Sequence, residues 1–236
     1  MDIYSYIVIS MFIGYIIGSI PFALIIGKVF YKVDVRKFGS GNLGATNVAR
    51  TLGWFAGFLV LFLDALKGGL PGFIMYKITE YGLVKNGFDD QLCYLSIIYC
   101  VTGFFSCIGH CHPLFANFKG GKAVASMCGF IIFMNYRLFI AGLIAFIICI
   151  LLFKIVSIGS LTAAFTITIC SFFEFFRKSY LFTHDELHTK LSLFIYLLTI
   201  IFLFLLLLYR HLDNITRLLK HEEHKFKIDK VKKTND

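Results

Sequence analysis

Between Phe38 and Arg50 the chain reads Phe-Gly-Ser-Gly-Asn-Leu-Gly-Ala-Thr-Asn-Val-Ala-Arg, set between two long apolar runs. Gly39, Gly41 and Gly44 let backbone N–H groups turn inward toward an anion. Ser40, Asn42, Thr46 and Asn47 add short donors, and Arg50 adds a guanidinium fork. A helix beginning at Ala45 would bring its N-terminus to the same place, where negative charge is favoured. This is the chemistry of a phosphate cradle. The string from Gly39 to Gly44 also matches GxGxxG, but a dinucleotide site needs a soluble βαβ unit with an acidic residue about 20 positions on. Asp64 has that spacing and lies inside an apolar run, which argues against it. Tight turns and close helix packing are the structural alternative for the same glycines.

A second basic stretch runs from Gly109 to Ser126 and contains His110 and Lys119-Gly120-Gly121-Lys122 just before a helical segment. Backbone donors, a helix N-terminus and two ammonium groups again converge as an anion site requires. It is not a Walker A loop, because Ala116 and Ala123 occupy positions that motif reserves for Gly and Ser/Thr. Cys107, His110, Cys111 and His112 cluster nearby, with spacing too irregular for a zinc site. Asp64 and Lys67, three apart on one helical face, either pair or line a wet cavity. Ser157 to Ser160 forms a small turn that suits a helix N-cap. His211, Asn214 and Arg217 recur at i, i+3 and i+6 beside an apolar stripe of Leu212, Ile215, Leu218 and Leu219. Such a helix either lies on the membrane surface or closes over the polar loops.

These groups need a scaffold, and composition defines it. A hydrophobic fraction of 58%, a mean hydropathy of +0.79, 28 Phe and 3 Pro place the chain among polytopic helical membrane proteins. Seven apolar segments follow in order: Ile3–Ile26, Trp54–Tyr76, Leu92–Gly109, Ala123–Met134, Leu138–Phe153, Leu161–Phe176 and Leu191–Tyr209. The fourth is short, either a half-helix or a piece joined to the fifth across a kink. Gly14 and Gly18 suit close helix packing, and Gly68, Gly69, Pro71 and Gly72 are expected to weaken or kink the second segment. With the N-terminus outside, one side carries 16 Lys/Arg and the other 6, which places the motif loops in the cytoplasm. Loop 177–190 is expected outside, and 224–236 as a basic, lipid-attracted tail. Asp2 stands where a signal peptide would be basic. The seven Cys fall mostly in apolar runs and make no disulfide framework. The net charge of +9 is a membrane-surface signal, and no basic-aromatic patch points to nucleic acid. The reading is one all-α integral membrane domain over residues 1–236.

Together these residues resemble the bacterial acyl-phosphate-dependent glycerol-3-phosphate acyltransferase family. The resemblance rests on Gly39 to Asn47 with Arg50, Asp64-Ala-Leu-Lys-Gly68, Gly109-His110 with Pro113, and Lys119-Gly-Gly-Lys122. It continues through Val156-Ser-Ile-Gly-Ser160, His211 with Asn214-Ile215, Arg217-Leu218 and Glu223. The chain departs from the family at Ala123 and His221, where glycine is usual, and at Lys154, where arginine is usual. The resemblance implies acyl transfer from a fatty acyl phosphate to the sn-1 hydroxyl of glycerol-3-phosphate. The product is 1-acyl-glycerol-3-phosphate (lysophosphatidic acid), the first step of phospholipid synthesis. No cofactor or bound metal is implied. The implied partners are acyl phosphate, glycerol-3-phosphate, membrane lipid and an acyl-phosphate-forming enzyme, at a multi-pass site facing the cytoplasm from the bacterial inner membrane.

On this reading Ser40, Gly41, Asn42, Thr46, Asn47 and Arg50 hold one phosphate, with Gly39 and Gly44 shaping the loop. Lys119, Gly120, Gly121 and Lys122 hold the other or stabilise the leaving phosphate. His211, Asn214, Lys122 and Ser40 form the catalytic group: His211 orients or deprotonates the acceptor hydroxyl, and Ser40 is a phosphate donor rather than a nucleophile. A substrate phosphate acting as base is the alternative to His211. Lys67, His110, Ser157, Arg217 and Glu223 complete the binding set. The rival from another class is a membrane transporter of phosphate or an organic phosphate. A phosphatidyl-group transferase would need a carboxylate cluster for divalent metal, which these loops lack.

Overall fold

The computed structural model describes residues 2–88, 92, 94–177, 190–223 and 225, and among these there is no strand. The expected outer loop at 177–190 lies almost wholly outside the described residues, as does the tail after Glu223 apart from Lys225. The helices are α1 (Ile3–Gly18), α2 (Phe22–Phe30), α3 (Ala45–Leu52), α4 (Trp54–Lys85) and α5 (Leu95–Cys111). They continue with α6 (Val124–Met134), α7 (Tyr136–Phe153), α8 (Val156–Cys170), the single turn α9 (Glu174–Arg177), α10 (Lys190–Arg210) and α11 (Leu212–Leu219). Among the described residues, five apolar stretches are long enough to cross a membrane, and α6 and α8 are shorter apolar helices. These seven correspond in order to the seven segments read from hydropathy.

One boundary differs from that reading, and one of its open alternatives is resolved. The first segment is interrupted at Ser19–Pro21, where proline cannot supply a helical N–H. The Ile20 carbonyl exposed by the break accepts from Lys67 Nζ at 2.7 Å. The fourth segment is a helix in its own right. Asn135 caps α7 by accepting from the N–H groups of Arg137 and Leu138 at 3.0 and 3.3 Å, and its amide donates to the Phe176 carbonyl. At a rise of about 1.5 Å per residue, α6 covers only about half the hydrocarbon thickness.

The expected weakening of α4 at Gly68–Gly72 does not occur: the helix runs unbroken through Pro71. Proline removes the N–H that would reach the Lys67 carbonyl, and the Ser106 hydroxyl donates to that carbonyl instead, at 2.6 Å. The neighbouring glycines serve contact between backbones. A Cβ on Gly68 would stand 1.9 Å from the Ser126 carbonyl oxygen, and one on Gly129 would stand 1.7 Å from that of Ala65, so α4 and α6 touch along their main chains. Gly14 and Gly18 do the same for α1 against α5, meeting the carbonyls of Thr102 and Ser106.

Tyr99, Phe130, Ile131 and Met134 fill the centre of this bundle. The Tyr99 and Phe130 rings stack at 5.2 Å, and the Tyr99 hydroxyl donates to the Phe130 carbonyl at 2.7 Å. Phe12, Phe58, Phe62 and Leu151 point outward, as a lipid-facing surface requires. A second apolar cluster of Val35, Leu43, Val48, Ala56 and Val60 pins the segment between α2 and α4 to the bundle. That cluster fixes the glycine-rich loop.

Of the six described non-glycine residues with left-handed backbone, three are Ala123 (φ 58°), Lys154 (φ 56°) and His221 (φ 58°), each at a helix boundary. These are the three positions at which the sequence departs from the pattern it resembles, and at Ala123 and His221 that resemblance implies glycine. A left-handed L-residue costs about 1–2 kcal/mol, part of which glycine gives back as unfolded-state entropy. Ala123→Gly is therefore expected to stabilise the protein by about 0.5–1 kcal/mol, raising the unfolding midpoint in detergent by about 1–4 °C. A lowered midpoint would show that Ala123 sits there without strain.

Candidate functional site

The loop ahead of α3 is built from its own side chains. Asp34 accepts from the Arg36 backbone at 3.1 Å and pairs with its guanidinium at 2.6 Å, which holds the carboxyl at about 2. Asn47 commits both polar ends to the loop: Oδ1 accepts from the Ser40 N–H at 2.9 Å, and Nδ2 donates to the Val35 carbonyl at 3.0 Å. Gly39 (φ 58°) lies directly over it, since a Cβ there would meet Asn47 Oδ1 at 2.3 Å. Asn47 and Gly39 thus set the loop's shape, with Gly41 (φ 70°) turning the chain. Ser40 Oγ accepts from Asn42 at 3.4 Å. Among the described residues, the Thr46 hydroxyl and the Arg50 guanidinium have no protein partner.

At the other wall, α10 runs into α11 through His211, and the i, i+3, i+6 face of the C-terminal helix closes over the loops. Lys122 Nζ donates to Asn214 Oδ1. The Asn214 amide donates to Glu223 Oε1 at 2.6 Å, Ser157 Oγ to the same oxygen at 2.9 Å, and Arg217 Nε to Glu223 Oε2 at 2.7 Å. Burial alone would raise the Glu223 carboxyl, and these three donors outweigh it and hold it below the usual range. Glu223 is thereby the knot that ties α11 to the start of α8. His211 is 2% exposed, and its Nδ1 lies 2.9 Å from the Leu207 carbonyl. A carbonyl can only accept, so Nδ1 carries the hydrogen and Nε2 keeps its lone pair. Burial, with the Lys122 charge beside it, pushes this imidazole down to about 4; burial likewise brings Lys122 down to about 8 against the pull of Glu223.

Between the walls lies a cavity of about 190 Å³. Gly44 before α3, Thr46 and Arg50 of α3, Lys122 and Val124 before and on α6, Ser157 of α8 and His211 just before α11 all line it. The first turns of α3, α6, α8 and α11 therefore converge on one space; α3, α6 and α8 begin after non-helical residues and turn the positive ends of their dipoles toward it, whereas α11 continues α10 across His211. The cavity also takes in Ser40, Asn42, Asn47, His110, Asn214, Arg217 and Glu223 from the expected set. It leaves out Gly39, Gly41, Lys67, Lys119, Gly120 and Gly121.

Those omissions have physical reasons. Lys119 is exposed on the outer surface. The Gly121 N–H donates to the His110 carbonyl at 3.1 Å, and the carbonyls of Gly120 and Gly121 accept from Arg210 at 3.2 and 3.0 Å, so this pair is not an open nest of donors. Lys67 lies behind the cavity, paired with Asp64 at 2.8 Å and capping Ile20. Leu61, Val124 and Phe146 supply an apolar flank that the motifs did not reveal. Phe146 is one phenylalanine among 28, and its only sequence signal is Gly159, where a Cβ would meet the ring at 2.9 Å.

The glycerol-3-phosphate acyltransferase family profile matches residues 8–221. The glycerol-3-phosphate acyltransferase of Staphylococcus carnosus is 37% identical over 223 residues, covering 94% of this chain and 98% of that protein. The corresponding Listeria monocytogenes (EGD-e) protein is 38% identical over 225 residues, covering 94% and 97%. Two crystal structures of PlsY (YgiH), an integral membrane glycerol 3-phosphate acyltransferase, share the fold. The glycerol 3-phosphate form has a TM-score of 0.74 at 33% identity, covering 94% of this chain and 96% of that one. The lysophosphatidic acid form has a TM-score of 0.73 at 32% identity, with the same coverage.

Proposed function

This chain belongs to the glycerol-3-phosphate acyltransferase family and is an integral membrane acyltransferase acting on glycerol-3-phosphate; we propose that its donor is a fatty acyl phosphate and its acceptor atom the sn-1 hydroxyl. The observation that carries this reading is the single cavity in which the N-termini of α3, α6 and α8, with Arg50 and Lys122, surround a neutral histidine with a free ring nitrogen. Both substrates bring a phosphate, and this is a space rich in donors and positive charge. The apolar flank of Leu61, Val124 and Phe146 suits the start of an acyl chain.

An acyl phosphate is a mixed anhydride that carries its own leaving group, so positioning and charge stabilisation supply most of the catalysis. Thr46, Arg50 and the α3 N-terminus hold one phosphate, and Lys122, oriented by Asn214 and Glu223, faces the other. The acceptor oxygen bonds to the acyl carbon and the anhydride C–O bond breaks. Its electron pair leaves on phosphate, and the hydroxyl proton passes to His211 Nε2. Lys122 and the helix dipoles offset the charge that develops on the departing phosphate.

The cavity opens at the end of the bundle that carries the basic loops, and the excess of 16 over 6 Lys/Arg supports a cytoplasmic site in the bacterial inner membrane. A transporter would need access from the opposite end as well. There α4, α5 and α6 are filled by Tyr99, Phe130, Ile131 and Met134, all at most 2% exposed. Purified protein given acyl phosphate and glycerol-3-phosphate in excess chelator is expected to form 1-acyl-glycerol-3-phosphate, and acyl-CoA is expected not to replace the donor. Product from acyl-CoA alone, or strict dependence on magnesium or zinc, would overturn this donor and mechanism.

A further inference from the structure

Behind the phosphate-facing groups stands a second histidine that the transfer step does not use. His110, near the end of α5, is 5% exposed and lines the cavity. Its Nδ1 lies 3.5 Å from Asp64 Oδ1, and that carboxylate is paired with Lys67 at 2.8 Å. A carboxylate can only accept, so the tautomer that suits it carries hydrogen on Nδ1 and a lone pair on Nε2. Nε2 has no protein partner among the described residues. It faces Gly121, where a Cβ would stand 2.2 Å away, so glycine there leaves room for the ring edge.

The cavity therefore holds two histidines, His211 with Nδ1 hydrogen-bonded to the Leu207 carbonyl and His110 with Nδ1 3.5 Å from the Asp64 carboxylate, each with Nε2 left as an acceptor. Arg50, Thr46, Lys122 and the helix N-termini in the rest of its wall suit phosphate oxygens, and the two carboxylates there are already engaged, Asp64 by Lys67 and Glu223 by Ser157, Asn214 and Arg217. Hydroxyl groups need acceptors, and glycerol-3-phosphate has two hydroxyls. We propose that His110 Nε2 accepts the hydrogen bond of the sn-2 hydroxyl, leaving the sn-1 hydroxyl to His211, and so makes His110 a determinant of acceptor specificity and of the position acylated. This rests on the reaction proposed above and goes beyond it, because phosphate anchoring alone would not tell a glycerol backbone from a simpler alcohol phosphate.

The test pairs a protein change with a substrate change. 3-Hydroxypropyl phosphate keeps the reacting hydroxyl and the phosphate but lacks the sn-2 hydroxyl. Wild-type enzyme is expected to prefer glycerol-3-phosphate over it by about tenfold to a hundredfold in kcat/KM, the scale of an unmet buried acceptor. His110→Ala should lower kcat/KM for glycerol-3-phosphate by a similar factor and leave the analogue nearly unchanged, so the preference collapses toward one. His110→Gln, whose amide oxygen can accept, should restore part of the preference. It also serves as the variant if the alanine protein does not fold. A wild-type preference near one would overturn the proposal without any variant. So would a His110 variant that lowers both substrates equally, the mark of a structural role. Failure of the wild-type protein to acylate glycerol-3-phosphate at all would instead sink the proposed reaction.

Discussion

Arg50→Ala is expected to cut kcat/KM for acyl transfer by about tenfold to more than a hundredfold, with much of the loss in apparent substrate affinity. Hydrogen bonds to charged groups contribute about 1.5–3 kcal/mol each, and a factor of ten corresponds to about 1.4 kcal/mol. The guanidinium has no partner of its own among the described residues, so truncation removes a phosphate contact without leaving a protein group unpaired. The unfolding midpoint should therefore stay within about a degree of wild type, and Arg50→Lys should recover only part of the activity because it keeps the charge and loses the fork. A large drop in midpoint, or unchanged KM values for both substrates, would remove Arg50 from the phosphate site. Lys122→Ala shares the direction with an added signature. The ammonium, held near 8, loses its proton as pH rises through that value, so phosphate capture by the free enzyme should weaken on the alkaline side. The alanine variant should lack that limb, and Lys122→Arg should move it to higher pH.

The membrane bundle was legible because hydropathy and length are local properties: each of the seven segments carries its own evidence within a single apolar run, even the short fourth one. The C-terminal face was legible for the same reason, since His211, Asn214 and Arg217 fall on one helical stripe. What a single stretch could not disclose was the partner that decides a residue's task. Pro71 reads as a kink until Ser106, on another helix, takes over its abandoned carbonyl. Asn47 and Thr46 read alike as donors, and only the position of Val35 shows that Asn47 is already committed to the loop. Lys67 reads as a site cation, yet it answers Asp64 and the break at Ile20. Lys119 and Lys122 read as a pair, and the turn between them sends one outward and the other under Asn214. Glu223 reads as a member of the binding set, and its carboxylate is taken up by Ser157, Asn214 and Arg217. In each case the missing information is a long-range contact.

His211→Ala is expected to have the largest effect, lowering kcat by about a hundredfold to ten-thousandfold with little change in KM, the range for loss of a positioned general base. The ring is buried, and its Nδ1–H is engaged by Leu207, so Nε2 is the nitrogen available to the hydroxyl. Burial and Lys122 push its proton affinity down to about 4, which keeps the base neutral at pH 7 and sets the sign of the pH effect. Above that value the imidazole can take a proton, and below it activity should fall as the imidazolium forms. The second ionisation of a phosphate ester, near pH 6, affects both proteins equally and cancels in the ratio of wild-type to variant rates. That ratio should be flat from neutral pH down to about 5 and should collapse as the pH approaches 4. His211→Gln should hydrogen-bond the hydroxyl without accepting its proton, so it should keep KM and recover little kcat. If instead His211→Ala raises KM, leaves kcat within a few-fold and preserves the wild-type pH profile, His211 belongs with the binding groups. The proton would then leave on the phosphate of a substrate, and Lys122 and Arg50, by setting that phosphate's ionisation, would become the residues through which the protein controls the base.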